Sequence, residues 1–377
     1  FRMMKINYFT WKIRRRIADY TLMWGGQKVC QNIANSKKRL EYVDLMKGIC
    51  ITLVVATHCG VCIPHYLPLG FEINMALINI RMPLYFSLSG FFFKEYMSFS
   101  DFVVRKVNKL IVPYVFFAIF PYALLFVIWP ETIPQNTQGI YIPLRLVIEP
   151  MNGTLWFLRA LFLTYLLYYA FHRISHSWPE VVKLMVTLAV ALLAYMGTEA
   201  GNKHLENNTL NQWIWLLNIP MAFMALPYFY VAEFLRNHNI LSMKFPIWKT
   251  IVGVVLFLAI CLLTAQPEVS FKELQLPNLP LIYIASLSGI MVIWLLAVAV
   301  NKLLFVSYCG RYSLIILGTQ SFFFGVVKQY SNSVWVMFLV TMALAPVTIW
   351  IFKKYFPYFT AQKDLFPVGD KVLKRKE

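Results

Sequence analysis

The sequence predicts an all-α, polytopic transmembrane protein of about ten spans, with both termini cytoplasmic. Three observations carry that expectation. The 377 residues are 59% hydrophobic and only 14% charged, against about 25% charged in a soluble globular domain. Apolar runs of about 18 to 22 residues recur along the chain, each long enough to cross a hydrocarbon core of about 30 Å. Nearly all of the 35 Lys and Arg residues fall in the two tails and one set of alternate loops. The exceptions are Arg145, Lys203, Lys272 and Lys328 in the opposite loops, and Arg81 and Arg159 inside spans. Basic loops stay on the cytoplasmic side, which sets the orientation. A barrel would show alternating segments of roughly ten residues instead. The net charge of +18 follows topology and anionic lipid, with no nucleic-acid-binding pattern beside it. The six cysteines lie mostly within or beside spans and form no secreted disulfide framework.

Residues 1–40 lack a signal-peptide pattern and mix aromatics with Arg14, Arg15 and Arg16. They read as a basic interfacial helix on the cytoplasmic leaflet, or else as a disordered basic tail. The membrane domain is expected over 41–352, and a basic cytoplasmic tail over 353–377. Span one, 42–62, contains Asp44, Lys47 and His58. Span two, 74–94, contains Arg81 beside Pro83, which should kink the helix or end its first segment. It also holds Ser89 and Gly90, a small-residue face for close packing. Arg105, Lys106 and Lys109 stand just before span three, 111–129. The longest loop, 130–152, is rich in Pro, Asn and Gln. Span four, 153–171, carries Arg159, and span five is 180–197. Span six, 212–235, is broken by Pro220 and Pro227 and ends near Glu233. Spans seven to ten occupy 246–265, 279–300, 304–327 and 334–352.

Lys47 and His58 are close to three helical turns apart, so they share one face at a separation of about 16 Å. Asp44 lies near the same line. A histidine well inside a span either packs against a neighbour through a hydrogen bond or faces a wet passage. The cluster Arg105, Lys106, Lys109 reads as ordinary positive-inside charge or as a seat for phosphates. The charges inside spans suggest an ion pair with Glu233 as the acid, and three charges leave one Arg over to face a cavity. His58, Cys59, Cys62 and His65 form a run that looks like a metal site, but its order is not a usual zinc spacing, and no metal is expected. Cys59 and Cys62 read as a redox pair or as two small core cysteines. No phosphate-binding loop or nucleophile elbow is present, which argues against an ATP-driven pump and an ordinary hydrolase.

Several blocks together resemble the bacterial acyltransferase 3 family. They are VDLMKG with a histidine eleven residues after Lys47, RMPLYFSLSGFFF, RKVNKLIVPY at 105–114 and LWFLRALF at 155–162. Weaker echoes are ALPYFYVAEFL and YCGRYSLIILGTQ. Glu233 stands where the family often has Gly, and Gln320 where it often has His. The resemblance implies a ten-helix enzyme of the cytoplasmic (inner) membrane. It would move an acyl group, acetyl by expectation, from cytoplasmic acyl-CoA to a hydroxyl of an extracytoplasmic cell-surface glycan. On that reading acetyl-CoA or another acyl-CoA is the donor, its phosphates on Arg105, Lys106 and Lys109 and its arm along the Asp44–Lys47–His58 face. His58 is the general base or is itself acylated. Arg81, Ser89, Trp156 and Arg159 are the acceptor-side candidates; Trp156 also reads as an interfacial anchor. The alternative from another class is an exporter or flippase for a glycan or lipid-linked sugar; a structural partner in a polysaccharide synthesis complex is a third.

Overall fold

The computed structural model describes residues 40–64, 66–96, 98–128, 153–204, 218–240 and 245–368. The predicted interfacial helix, His65, the loop after span three, the start of span six and the end of the tail lie outside them. The chain divides into two compact units, Phe1–Glu41 and Tyr42–Glu377, and the helical bundle belongs to the second. The described residues hold no strand, only an isolated bridge between Ser270 and Gln275.

The helices are α1 Glu41–Cys59, α2 Gly70–Phe91, α3 Phe99–Lys106 and α4 Val112–Ile128. Next come α5 Trp156–Ile174, α6 Glu180–His204, α7 Ile219–Met224 and α8 Leu226–Asn237. The last five are α9 Ile247–Thr264, α10 Leu279–Val300, α11 Leu304–Arg311, α12 Ser313–Lys328 and α13 Val334–Tyr355. Each predicted span is helical over most of its described residues, and among the described residues six helical segments are long and apolar enough to cross a membrane. These are α1, α5 with its 3₁₀ lead-in, α6, α9, α10 and α13. The other four fall short for separate reasons. Polar side chains interrupt α2; α4 has 17 residues; spans six and nine are each split into two helices.

Local chemistry explains the main boundaries. Gly60 adopts φ +82, a conformation that suits a residue without Cβ. The Gly60 and Val61 amides turn back to the Thr57 and Ala56 carbonyls, a Schellman end that stops α1 one residue after His58. The expected span to residue 62 is therefore shorter, and His58 sits in the last helical turn. Pro83 does not end α2, which continues to Phe91. Pro83 offers no amide to the Asn79 carbonyl, while the Cys50 thiol of α1 donates to the nearby Arg81 carbonyl at 2.8 Å. Pro227 stands in the first turn of α8, where its missing N–H costs least, so span six breaks at Ala225.

Two buried apolar clusters hold the bundle. One joins the first half of α1 to α2 and α10 through Met46, Cys50, Leu84, Leu88, Ile290 and Trp294. The other runs through the rest of the molecule and includes Ile51, Phe86, Phe117, Tyr168 and Phe229. Helices α6 and α9 bury little of themselves and expose apolar residues such as Leu193, Val255 and Leu263. Such faces suit lipid, which solvates apolar side chains as well as a protein core does.

Helices α1 and α11 meet backbone to backbone. A Cβ added at Gly310 would collide with the Asp44 carbonyl, and one at Gly48 with the Val306 carbonyl. Both partners are main chain and have no rotamer to change. Gly310→Ala is expected to destabilise the protein by about 1–3 kcal/mol or more, read as a lower thermal midpoint in detergent. An unchanged midpoint would mean that these helices do not meet there.

Candidate active site

On α2, Arg81, Tyr85 and Ser89 recur every fourth residue and are part-exposed, while residues 82–84 and 86–88 between them are buried. Positions i, i+4 and i+8 lie on one face and span about 12 Å. Among the described residues the buried Arg81 Nε and Nη1 atoms meet no hydrogen-bond partner, while the buried Tyr85 hydroxyl lies near the Ser313 side chain. Buried polar atoms are normally satisfied, by protein or by something bound. A polar stripe thus runs through an otherwise apolar helix. On the face of α1 expected to carry the arm, Ile51, Val54 and Val55 between Lys47 and His58 are 0–1% exposed and packed.

One end of the stripe meets His58. The imidazole is exposed in the last turn of α1, where it can be reached from outside the bundle. The charges that reach it belong to Arg81 and Lys272. Lys272 projects from a rigid turn. Ser270 and Gln275 exchange backbone hydrogen bonds at 2.9 and 3.0 Å, and Val269, Phe271, Leu274 and Leu276 are buried beneath them. Asn79 ties the start of this loop to α2, donating to the Gln266 carbonyl at 2.9 Å. Lys272 Nζ lies 3.5 Å from where a Cβ on Gly153 would stand, beside the entry to α5.

The other end meets Lys106. The Tyr165 hydroxyl donates to the Ser89 carbonyl at 3.1 Å, and Lys106 Nζ lies 3.3 Å from the Tyr165 ring centre. Lys106 belongs to α3, ahead of the predicted third span, and burial pushes its ammonium down to about 7. The three predicted phosphate residues therefore occupy three settings. Lys106 reaches inward. Arg105 lies over the Tyr96 ring at 5.1 Å. Lys109 pairs with Asp364 at 2.9 Å and donates to the Ala361 carbonyl. A π turn over Val107–Ile111 separates Lys106 from α4. Pro113 supplies no amide for the regular i→i−4 bond, and Val112 bonds back to Val107 instead. On α1, the Lys47 ammonium lies 4.8 Å from the Phe92 ring centre, just past the end of α2. Asp44 is buried, its carbonyl against Gly310.

The described part of the predicted tail is docked. Asn108 is fully buried, accepts from the Leu365 and Phe366 amides and donates to the Phe366 carbonyl. Those bonds outweigh the Lys109–Asp364 pair, whose partners are 46% and 37% exposed and thus well screened. Asn108→Ala should release the segment and speed tryptic cleavage at Lys363 by about tenfold or more, since each bond is worth about 1 kcal/mol. Unchanged cleavage would show that the segment is held by something else.

The expected ion pair between Glu233 and a span arginine is corrected. Glu233 accepts from Tyr168 at 2.6 Å and from Arg236 at 3.2 Å, and lies 3.6 Å from His172. Arg236 also clamps the Phe91 and Phe93 carbonyls. Glu233 satisfies a cation one helical turn away on its own helix and fixes the exit of α2. That leaves Arg81 without a carboxylate partner among the described residues, at the mouth where His58 opens.

Residues 40–353 match the acyltransferase 3 family, described as an acyltransferase domain. The chain belongs to that family. No curated protein and no solved structure matches it. With its apolar helices, this acyltransferase 3 protein is a membrane acyltransferase.

Arg159 donates to the Asn218 side chain at 3.3 Å and lies over the Tyr114 ring; Asn218 is the residue that starts α7. Trp156 is 6% exposed and packed in the core, offering a sugar no open face. Gln320, where the family often has His, is fully buried with both amide atoms unpartnered. Among the described residues no three His, Cys, Asp or Glu side chains gather for a metal; Cys59 is buried and Cys62 exposed. Sequence reasoning passed over Tyr85 and Lys272. Tyr85 was legible as the middle of a four-residue repeat from Arg81 to Ser89. Lys272 was one of few cations in its set of loops, a signal used only for topology.

Proposed function

We propose that the protein transfers an acyl group, acetyl by preference, from cytoplasmic acyl-CoA to a hydroxyl of an extracytoplasmic cell-surface glycan. The observation that carries this reading is the stripe Arg81–Tyr85–Ser89, with an inward lysine at one end and an open histidine at the other. The donor's phosphates rest on Lys106 and Arg105, with Lys47 at the entrance, and its thin arm follows α2 towards His58. There the acceptor hydroxyl gives its proton to the imidazole as its oxygen attacks the thioester carbonyl. A C–O bond forms, the C–S bond breaks, and the imidazolium returns the proton to the departing CoA thiolate. Arg81 stabilises the negative oxygen of the tetrahedral intermediate. In the competing route the His58 nitrogen attacks the thioester, a C–N bond forming as the C–S bond breaks, and the acceptor oxygen then forms its C–O bond as that C–N bond breaks. The ten-span topology, with both termini cytoplasmic and the His58 opening outside, is part of this reading.

The test is release of free CoA by purified protein given acetyl-CoA and an oligosaccharide, with the product glycan weighed by mass spectrometry. Gain of one acyl mass with matching thiol release is expected. Movement of a glycan or lipid-linked sugar across proteoliposomes without thiol release would favour the exporter and discard transfer.

The phosphate assignment has its own pH signature. An ammonium near 7 is charged below that pH and neutral above it. The acyl-CoA KM should therefore rise roughly fivefold from pH 7 to pH 8. Lys106→Arg, charged throughout, should flatten the rise. A wild-type KM that does not move with pH would remove Lys106 from the donor site.

A further inference from the structure

We infer that the His58 opening contains an anion subsite, built by Lys272 and Arg81, which selects an acceptor carrying a carboxylate or phosphate close to the hydroxyl that is acylated. The inference rests on the proposed transfer reading for the words acceptor and acylated; the subsite itself rests on geometry.

Two cations face one imidazole here, and neither has a carboxylate partner among the described residues. Arg81 enters a span at the expense of desolvation, and its Nε and Nη1 point at no acceptor. A guanidinium whose buried Nε–H and Nη1–H donors meet no acceptor among the described residues suits a carboxylate or phosphate. Lys272 is held differently but just as firmly. Its turn is closed by the reciprocal Ser270–Gln275 bonds, anchored by four buried apolar side chains, and tied through Gln266 to Asn79, two residues from Arg81 on the same helix. The neighbouring acids do not cancel it: Glu268 and Glu273 are exposed on the same loop and form no ion pair with Lys272 among the described residues.

A neutral sugar gains nothing from two unpaired positive charges beside its reacting hydroxyl, whereas an acidic one pairs with both. Charge neutralisation would also favour the general-base step, because a cationic imidazole forms during transfer. The anionic group could be a sugar carboxylate or the diphosphate of a lipid carrier, and the probes separate these sources.

Full-length protein in nanodiscs would be given three acceptors of matched length. One trisaccharide contains a glucuronate, the second is its carboxyl-reduced glucose counterpart, and the third is that neutral trisaccharide with a diphosphate at its reducing end. Equilibrium binding is measured without donor, and CoA release is measured with acetyl-CoA. Wild type is expected to bind a charged probe at least tenfold more tightly than the neutral one. Lys272→Gln should erase most of that preference, and Lys272→Glu should reverse it. Tighter binding of the glucuronate probe assigns the subsite to a sugar carboxylate, and of the third probe to a lipid-side diphosphate. Equal binding of all three by wild type, or a preference unchanged in Lys272→Glu, overturns the subsite. A Lys272-dependent preference without CoA release from any probe keeps the subsite and overturns the transfer reading instead.

Discussion

His58→Ala is expected to lower acyl transfer by about 10²–10⁴-fold, the range that a positioned general base contributes. The variant should insert and melt like the wild type, because the exposed imidazole makes no hydrogen bond among the described residues. Its helix end is fixed by Gly60 and Val61, not by the ring. His58→Gln retains a polar side chain of similar reach but cannot take a proton, so it should be as inactive as the alanine variant. If glutamine restored activity, His58 would be an acceptor-binding residue, and if alanine kept full CoA release, proton transfer would have to come from another group. The apparent acyl-CoA affinity should be almost unmoved in both variants, since Lys106, the proposed phosphate seat, lies at the far end of the α2 stripe.

The helices were legible because apolar length and loop charge are properties of the chain itself. Pro220 and Pro227 announced the break in span six, and α8 does begin at Leu226 with Pro227 in its first turn. The end of α1 was misjudged because apolarity continues through Val61 and Cys62, whereas termination is decided by the backbone conformation of Gly60. Pro83, expected to kink α2 or end its first segment, does not end it: its missing amide costs one hydrogen bond, and the helix continues to Phe91.

The site was legible as a set of residues and illegible as a path. Counting turns put Lys47 and His58 on one face of α1 correctly, but whether a face is open depends on its neighbours, and Ile51 and Val55 fill it. The part-exposed polar face runs on α2, where sequence marked Arg81 and Ser89 without the tyrosine between them. Glu233 illustrates why pairing cannot be inferred from the number of embedded charges. Arg236, three residues on, sits in a span end that hydropathy treats as loop, and it takes the carboxylate that Arg81 would have needed.

That difference in partners makes Arg81 and Arg159 separable by experiment. Arg81→Gln removes a half-buried cation that has no carboxylate partner among the described residues, a liability to the fold and an asset to the proposed reaction. It should leave the thermal midpoint unchanged or raise it, while kcat falls by about 10²–10³-fold, as expected for loss of one donor to a developing oxyanion. Arg159→Gln breaks the contact with Asn218 at the start of α7 and the cation–π contact with Tyr114. It should lower the midpoint, with loss of activity following the fraction unfolded. The pair is decisive because the two variants make the same chemical change on two helices of one bundle and are expected to move stability in opposite directions. Destabilisation of both to the same degree would show that Arg81 has a structural partner, and the chemistry assigned to it would have to be given up.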